Sequence, residues 1–285
     1  MKENNILITG ASGFVGSHAL PFFRKKYNID TISLKQKSHE NFDLNKYDVI
    51  LYLAGIAHQT KKISSAEYDL ANHKLPVQLA KRAKEQGVNH FIFVSTVKVF
   101  GENSDKPLNE NSTCTPVDAY GQSKLNAEND LLAMNSDSFI VSVIRPTLIY
   151  GKGVKGNLEK LVNLIRAVPV IPFPVINNKR SLVYVENLLA MVERIIEKKL
   201  SGIFLACDIN NLSTTQMISA FAAQLKKKPI FIPVPLFTRN LIRRFFPYKY
   251  DRLFGSFVVD SSVSNQKLDF NPPFTFNEGI KRMFE

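Results

Sequence analysis

A glycine-rich turn near the N-terminus constrains the fold of this chain more than any other feature. Gly10, Gly13 and Gly16 directly follow the apolar run Ile6-Leu7-Ile8 and open an amphipathic stretch. Glycines at this spacing allow a tight turn, a close approach of the backbone to a diphosphate, and tight packing of a helix on a strand. The first amides of such a helix also donate to phosphate oxygens. The pattern therefore predicts a strand, a phosphate-binding turn and a helix.

Short apolar runs alternate with amphipathic stretches through the first half of the chain. This alternation is typical of a parallel sheet whose strands are connected by helices. We expect strands at 6–9, 31–34, 49–53, 91–95 and 140–144, and helices at 14–26, 66–86 and 120–134, the second of them kinked at Pro76. The predicted fold class is α/β, a Rossmann-type doubly wound parallel sheet.

The chain changes character from Gly151 onward, where prolines cluster between short helices and strands. We expect residues 1–150 to form a dinucleotide-binding domain. Residues 151–285 are expected to form mainly a smaller C-terminal substrate-binding lobe, with a crossover back to the sheet left open. Within this part, 236–254 combines basic and aromatic residues, and we interpret it as a lobe helix in preference to a membrane-surface helix.

Composition excludes several classes of protein. Hydrophobic residues make up 45% of the chain and charged residues 22%, which is ordinary for a globular protein and argues against disorder. The two cysteines, Cys114 and Cys207, lie far apart without metal-site spacing, so no metal is expected. No apolar run reaches the roughly 18 residues of a membrane span, and no signal peptide precedes Ile6. We therefore expect a cytoplasmic protein without stable membrane insertion.

Tyr120 and Lys124 are the first candidates for chemistry. Four residues apart on a predicted helix, they share one face. An ammonium beside a phenol biases it toward giving or taking a proton. The net charge of +12 favours an anionic partner. Nucleic acid, an anionic membrane surface and anionic small molecules would all be attracted by it, so the charge does not distinguish them. The pair and the glycine turn together predict redox chemistry on an alcohol or ketone.

The residues after the second predicted strand bear on the choice of dinucleotide. An acidic side chain at this place accepts from the ribose hydroxyls of NAD. Here Ser33 and Lys35 occupy it, without a carboxylate, and they suit a 2′-phosphate. We therefore expect NADP(H), with NAD(H) as the alternative. Asp43 is a candidate partner of the adenine amino group or a simple turn residue.

Several further motifs follow along the chain in a fixed order. They are Leu53-Ala54-Gly55, Asn72, residues 95–101, Tyr120 to Lys124, and Arg145-Pro146 with Tyr150-Gly151. In this order they resemble the extended short-chain dehydrogenase/reductases, the NAD-dependent epimerase/dehydratase family, over nearly the whole chain. The resemblance implies a nucleotide-sugar enzyme.

The resemblance also assigns roles to residues. Tyr120 would be the general acid or base, Lys124 would lower its pKa and bind the nicotinamide ribose, and Thr96 would hydrogen-bond the reacting oxygen. The implied cofactor-binding residues are Gly10, Ser12, Gly13, Phe14, Val15, Gly16, Ser33, Lys35, Asp43, Leu44, Leu53, Ala54, Gly55, Tyr120, Lys124 and Pro146. The implied substrate-binding residues are Val97, Lys98, Asn157, Arg180 and Arg252, the two arginines for a diphosphate.

Val97-Lys98 narrows the reaction within the family. Sugar 4,6-dehydratases carry an Asp-Glu pair at this place, so a dehydratase is disfavoured. We expect a reductase of the C4 ketone of a UDP-4-keto-6-deoxy-hexosamine, closest to bacterial reductases of surface polysaccharide synthesis. A UDP-sugar 4-epimerase with tightly bound NAD is the alternative. A non-catalytic member that senses dinucleotide or binds RNA is a distant third, and no nucleic-acid partner is expected. A homodimer is implied.

Overall fold

A six-stranded parallel sheet forms the centre of the protein. The computed structural model describes residues 4–34, 42–57, 63–104, 106–167, 175–228, 230–231, 243–245, 250 and 254–285. The strands are β1 (Asn5–Thr9), β2 (Asn28–Ile32), β3 (Val49–Tyr52), β4 (His90–Val94), β5 (Ile140–Pro146) and, after two shorter strands, β8 (Gly202–Ala206). They lie in the order β2-β1-β3-β4-β5-β8, and every pair is parallel. The predicted fold class is therefore confirmed.

Helices cover both faces of the sheet. The helices up to the end of β5 are α1 (Phe14–Phe23), α2 (Ser65–Asp69), α3 (Leu75–Glu85) and α4 (Ala119–Leu132). Those that follow are α5 (Asn157–Ala167), α6 (Val185–Lys198), α7 (Thr214–Gln224), α8 (Ser262–Leu268) and α9 (Phe276–Phe284). Apolar residues of α1 and α6 pack on one face, and those of α3 and α4 pack on the other. Because both faces are covered, the central strands are largely apolar runs without polar alternation.

A second, small sheet lies in the C-terminal half. It contains β6 (Leu148–Tyr150), β7 (Arg180–Tyr184) and β9 (Asn211–Leu212), with β7 in the centre. A separate apolar cluster, with Tyr150 and Phe221 in it, joins this part to α5, α7 and α9. Helix α6 packs on the large sheet, and strand β8 pairs with β5 at its edge. Both elements follow Gly151, so the chain returns to the large sheet after this residue. The division into domains at residue 150 stays a prediction.

The second strand differs from its prediction. It runs from Asn28 to Ile32, not from Thr31 to Leu34, and it forms the edge of the sheet. Most of its side chains are exposed or half-buried, and Asp30 accepts hydrogen bonds from Lys46 and Tyr47. An edge strand with polar residues lacks the continuous apolar run that marks the central strands, which explains the shift.

The helix predicted over 66–86 is also different in its middle. Between α2 and α3, residues Leu70–Lys74 form a π-helical turn, and Pro76 lies inside the first turn of α3. Proline has no amide hydrogen and disturbs the hydrogen bonding of the preceding turn. Pro76 therefore coincides with a local change of helix type where the sequence predicted a kink. π-Turns of this kind occur frequently at functional sites, and this one carries the buried Asn72.

Candidate active site

The glycine turn has the geometry that its sequence predicts. Gly10 has a φ of +70°, and a Cβ atom there would lie 2.6 Å from the amide nitrogen of Ala54. A Cβ atom on Gly16 would lie 2.2 Å from the carbonyl oxygen of Gly10. Thr9 ties the ends of β1 and β3 together, because its hydroxyl accepts from the amides of Leu53 and Ala54 at 3.2 Å. The turn therefore has no room for a side chain at Gly10 or Gly16.

This turn lies where the order of the strands reverses. The chain goes from β1 outward to β2 and then returns to the other side of β1 as β3. In doubly wound sheets, ligands bind at this switch point. Helix α1 begins here after Gly13, without an acidic residue in its first turn, so its amide donors and positive dipole end favour an anion. The first-turn positions Phe14 and Val15 and the ends of β1 and β3 therefore fit a dinucleotide diphosphate.

The catalytic candidates come together at the neighbouring strand end. Thr96 follows β4, and its hydroxyl accepts from the amide of Lys98 at 3.2 Å at the start of a 3-10 turn, Val97–Phe100. Tyr120 lies in the first turn of α4 and shares a side-chain hydrogen bond with Thr96. Asp118 caps this helix by accepting from the amide of Gly121 at 2.7 Å. A threonine hydroxyl and a phenol therefore share one polar site.

Lys124 lies one turn further along α4 and is almost completely buried. Its ammonium donates to the carbonyl of Val94 at 3.0 Å and lies 4.4 Å from the ring centre of Phe93. A Cβ atom on Gly55 would lie 3.6 Å from this nitrogen and 2.7 Å from Oδ1 of Asn72. The lysine therefore reaches the space between the ends of β3 and β4, beside the glycine turn.

Burial shifts the pKa values of Tyr120 and Lys124 away from their ordinary values. Burial raises the pKa of the Tyr120 phenol to about 12, although the bond with Thr96 works in the opposite direction. Burial lowers the pKa of Lys124 to about 8, against the attraction of Glu128. The expectation that Lys124 lowers the pKa of Tyr120 stays a prediction; in the protein by itself, desolvation of the phenolate is the largest influence on this pKa. At neutral pH Tyr120 is protonated and Lys124 is mostly charged.

Asn72 joins the π-helical turn to the site. It is fully buried, and its Oδ1 accepts from the amide of Ile56 at 2.8 Å. Its Nδ2 donates to the carbonyl of Ile56 at 3.0 Å and to the hydroxyl of Ser123 at 3.3 Å. It therefore fixes the segment after β3 to the helix that carries Tyr120 and Lys124.

A buried charge cluster beneath the site was not predicted. Glu128 is fully buried and accepts from Arg145 at 2.6 and 3.0 Å and from the hydroxyl of Ser95. The sequence does contain a sign of Glu128, which is its spacing. Tyr120, Lys124 and Glu128 follow at intervals of four residues and therefore lie on one face of α4. Arg145 appeared in the sequence only as part of a motif.

The remaining predicted cofactor contacts have mixed environments. Ser12 and Ser33 are exposed, and Pro146 is buried at the end of β5. Leu44 is buried, and its amide donates to the side chain of Gln86 at 2.6 Å. Asp43 is exposed and accepts from the amide of Asn45 at 3.0 Å, which is the turn role that the sequence left open. Lys35 lies outside the described residues, so the preference for NADP stays a prediction.

The predicted substrate contacts that the structure describes lie on three elements: the 3-10 turn after β4, helix α5 and strand β7. Val97 is buried, and Lys98 forms an ion pair with the buried Glu102. Asn157 is exposed at the start of α5, directly after the loop in which Gly151, Gly153 and Gly156 have positive φ. Arg180 begins β7, and its backbone pairs with Leu212 and Phe257. Arg252 and most of 236–254 lie outside the described residues.

Two classes of feature are absent from the part of the chain that the structure describes. It contains no helix with the length and apolar character needed to cross a membrane. It also contains no group of three or more His, Cys, Asp or Glu side chains arranged for a metal ion. The cytoplasmic location stays a prediction.

Comparison with known proteins assigns the family. The model of the NAD dependent epimerase/dehydratase family matches residues 6–206. The chain is 32% identical over 307 aligned residues to a UDP-glucose 4-epimerase of Vibrio cholerae, with 98% of this chain and 94% of that protein covered. The chain therefore belongs to the NAD-dependent epimerase/dehydratase family, as the motifs predict.

More distant relatives support the same assignment. An N-acetyl-alpha-D-glucosaminyl-diphospho-ditrans,octacis-undecaprenol 4-epimerase of Escherichia coli O157:H7 is 25% identical, with 99% of this chain and 95% of that protein covered. Among solved structures, a UDP-N-acetylglucosamine 4-epimerase from Methanobrevibacter ruminantium M1, in complex with UDP-N-acetylmuramic acid, superposes with a TM-score of 0.80. It is 19% identical and covers 100% of this chain and 98% of its own, so it supports the fold alone.

The glycine turn provides a direct test of the cofactor site. Gly16→Ala places a Cβ atom 2.2 Å from the Gly10 carbonyl and 2.7 Å from the Cα of Ala11, so the backbone must shift. We expect a loss of about 1–3 kcal/mol in the free energy of unfolding and a large loss of dinucleotide affinity. Urea unfolding and titration calorimetry measure the two effects.

Gly13→Ala is the matched control, because its Cβ atom would lie at 3.1 Å from the same oxygen and φ there is −75°. Its effects are expected to be smaller on both measurements. Dinucleotide affinity of Gly16→Ala equal to that of the unchanged protein would contradict the assignment of this turn.

Proposed function

We propose that this chain is a UDP-sugar 4-epimerase that works with a bound NAD(P) cofactor. The observation that carries the proposal is the contact between Thr96 and Tyr120 beside the buried Lys124, adjacent to the glycine turn. The full-length similarity to a UDP-glucose 4-epimerase supports this reaction over a net reduction. The predicted 4-reductase thus becomes the second candidate.

The residues at the switch point fit the dinucleotide. Its diphosphate would lie against Gly10, Gly13 and the first amides of α1, where a side chain at Gly16 has no room. Lys124 would donate to the ribose beside the nicotinamide. When bound, the oxidised cofactor accepts a hydride from C4 of the sugar and returns it, so that no external oxidant or reductant is consumed.

Tyr120 and Thr96 would handle the proton at the sugar oxygen O4. As the C4–H bond breaks, Tyr120 in its anionic form takes the O4 proton, and it gives this proton back when the ketone is reduced on the other face. Thr96 holds the same oxygen by a hydrogen bond. The raised pKa of Tyr120 means that the anion needs nearby positive charge, and the Lys124 ammonium and a bound nicotinamidium ring are its sources.

The nucleoside diphosphate end of the substrate would bind in the C-terminal half. The loop Gly151 to Gly156 contains Lys152 and Lys155 and leads into the first turn of α5 at Asn157. Arg180 adds a guanidinium, which suits a diphosphate through paired hydrogen bonds. These roles, a cytoplasmic location and a homodimer belong to the proposal.

A reductase of a UDP-4-keto-6-deoxy-hexosamine remains the second candidate for one reason. The sequence after β2, Ser33-Leu34-Lys35-Gln36-Lys37, has no carboxylate to accept from the ribose hydroxyls of NAD. Basic residues after β2 favour the 2′-phosphate of NADP(H). NADP(H) suits net reduction, in which the cofactor is taken up and released in each turnover. Surface polysaccharide synthesis would be the setting of that reaction.

Interconversion without added cofactor distinguishes the two candidates. Purified protein is incubated with UDP-glucose or UDP-N-acetylglucosamine, and the nucleotide sugars are separated by chromatography. We expect the galacto epimer to form, and denatured protein to release a dinucleotide that mass spectrometry identifies. No epimer, together with NADPH consumption in the presence of a UDP-4-keto-6-deoxy-hexosamine, would establish the reductase in its place.

A further inference from the structure

Glu128 is a buried carboxylate to which the proposed reaction gives no role. It lies at the centre of α4 with a side chain that is 1% exposed, and it faces the end of the sheet. Arg145 of β5 contacts it through Nε at 3.0 Å and Nη2 at 2.6 Å, and Ser95, which follows β4, donates to it. An isolated carboxylate at this depth is very costly, and the contacts with Arg145 and Ser95 compensate its burial.

The position of Glu128 connects this cluster to the active site. On one face of α4, Tyr120, Lys124 and Glu128 follow one another at intervals of one turn, about 5–6 Å between neighbouring Cβ atoms. Lys124 is itself 5% exposed, and its hydrogen-bond acceptor is the uncharged carbonyl of Val94. Within the part of the chain that the structure describes, Glu128 is the charged side chain that raises the pKa of Lys124 against desolvation.

Other groups lie near Lys124 and Glu128, and their charges bear on the pKa of the lysine. Phe93 and Asn72, which lie near Lys124, carry no charge, and Tyr120, one turn earlier on α4, is protonated at neutral pH because burial raises its pKa. The charged neighbour of Glu128 is Arg145, whose charge is opposite to that of the carboxylate. The Arg145 guanidinium also packs at 4.8 Å from the ring centre of Phe100. Cys114 lies close enough to Arg145 and Glu128 for both to shift its pKa, which burial raises, so the thiol is neutral. Charge on Glu128 is therefore the attraction that offsets the burial of the ammonium.

We propose that Glu128 is a positioning residue that keeps the ammonium of Lys124 charged inside the active site, and that Arg145 and Ser95 fix the place of the Glu128 carboxylate for this task. The proposal rests on the proposed function only in so far as Lys124 is catalytic. Its electrostatic part concerns the protein by itself. A purely structural Glu128 would stabilise the fold and leave the titration of Lys124 unchanged.

The isosteric variant Glu128→Gln separates these two roles. Glutamine keeps the size of the side chain and removes the charge; its Oε1 still accepts from Arg145, and its Nε2 faces the Ser95 hydroxyl as a donor, so the two-oxygen contact with the guanidinium is reduced to one. It also leaves the Arg145 charge uncompensated, which acts on Lys124 in the same direction. We expect the pKa of Lys124, about 8 in the unchanged protein, to fall by about one unit or more. NMR titration of isotope-labelled lysine side chains measures this, with Lys124→Met to assign the signal.

Asp130→Asn is the matched control. It removes the same charge from the same helix two residues later, at an exposed position paired with His73. We expect it to leave the pKa of Lys124 unchanged. Glu128→Asp completes the set, because it keeps the charge and loses packing: lower stability with a nearly unchanged Lys124 pKa is the expected result. A Glu128→Gln protein whose Lys124 titrates as in the unchanged protein would overturn the proposal.

Two further measurements keep the result unambiguous. If Glu128→Gln does not fold, Glu128→Gln with Arg145→Gln removes both charges, which avoids an uncompensated buried guanidinium, and the pKa of Lys124 is again expected to fall. In the epimerase assay, Glu128→Gln should move the loss of kcat at high pH to lower pH by the same interval as the NMR shift. If the unchanged protein lacks epimerase activity, the proposed function fails, and the NMR titration still decides the role of Glu128.

Discussion

Tyr120→Phe lowers kcat for C4 epimerisation by about 10²- to 10⁴-fold, the range expected when a general acid or base is removed. The change deletes one oxygen and leaves the ring, which packs at 5.9 Å from Tyr68. Thr96 keeps its place because its hydroxyl also accepts from the amide of Lys98. The variant should therefore fold normally and bind substrate, so that the loss lies in kcat and not in KM. Steady-state kinetics with both epimers measure it.

The control for Tyr120→Phe is the same chemical deletion away from the site. The hydroxyl of Tyr47 donates to Asp30 at 2.6 Å beside the edge strand. Tyr47→Phe is expected to keep kcat near that of the unchanged protein. A Tyr120→Phe enzyme with nearly full kcat would exclude Tyr120 as the proton-transfer residue, whatever the reaction proves to be.

Lys124→Met is expected to make the protein more stable and inactive. The pKa of this lysine falls from its ordinary value of 10.5 to about 8 because the ammonium is buried. A shift of this size corresponds to a penalty on the order of 3 kcal/mol on the folded state at neutral pH. The unsatisfied carbonyl of Val94 reduces the gain in the variant, and about 1–2 kcal/mol is expected to remain. Activity falls because Tyr120 loses its neighbouring charge.

The stability gain of Lys124→Met is expected to depend on pH. The pKa is lower in the folded than in the unfolded state, so the penalty is complete below about pH 8 and disappears as the pH rises toward 10.5. The stability advantage of Lys124→Met should shrink over the same interval. Lys81→Met, on the exposed side of α3, is the matched control and should show neither effect. A variant that is equally active, or less stable at pH 7, would contradict the account. Urea unfolding at several pH values measures this.

The sequence predicted the parts of the fold that depend on local patterns. The glycine turn follows an apolar strand and opens a helix, and the four central strands are continuous apolar runs, so their places followed directly. The edge strand β2 was shifted, because Asn28 and Asp30 contribute side chains that no apolar run would contain. The π-helical turn at Leu70–Lys74 was missed, since five residues with a different hydrogen-bond pattern leave no distinct period in the sequence.

The site shows the same division. Tyr120 and Lys124 were found because four residues on a helix place two side chains together, and Thr96 because the family motif contains it. The cluster of Glu128, Arg145 and Ser95 joins a helix to two strand ends that lie 17 and 33 residues away in the chain. Such contacts depend on the packing of the elements. The burial of Tyr120, which raises its pKa, likewise depends on packing and leaves no mark in the sequence.

The choice between reductase and epimerase depended on the least informative residues. The reductase was inferred from Lys35 and its neighbours at the exit of β2 and from Val97-Lys98. Lys35 lies outside the described residues, and Lys98 is paired with Glu102. The relative with 32% identity along the whole chain supports the epimerase more directly. A few charged residues after one strand are therefore weaker evidence for the reaction than similarity along the full length.

The fate of the C4 hydrogen tests the central claim most directly. UDP-glucose that carries deuterium at C4 is incubated with the purified protein without added cofactor, and the UDP-galactose formed is analysed by NMR and mass spectrometry. An epimerase that oxidises and re-reduces one sugar at a single site returns the same hydrogen, so deuterium should be retained at C4 of the product. No UDP-galactose, or UDP-galactose that has lost its deuterium, would contradict the account.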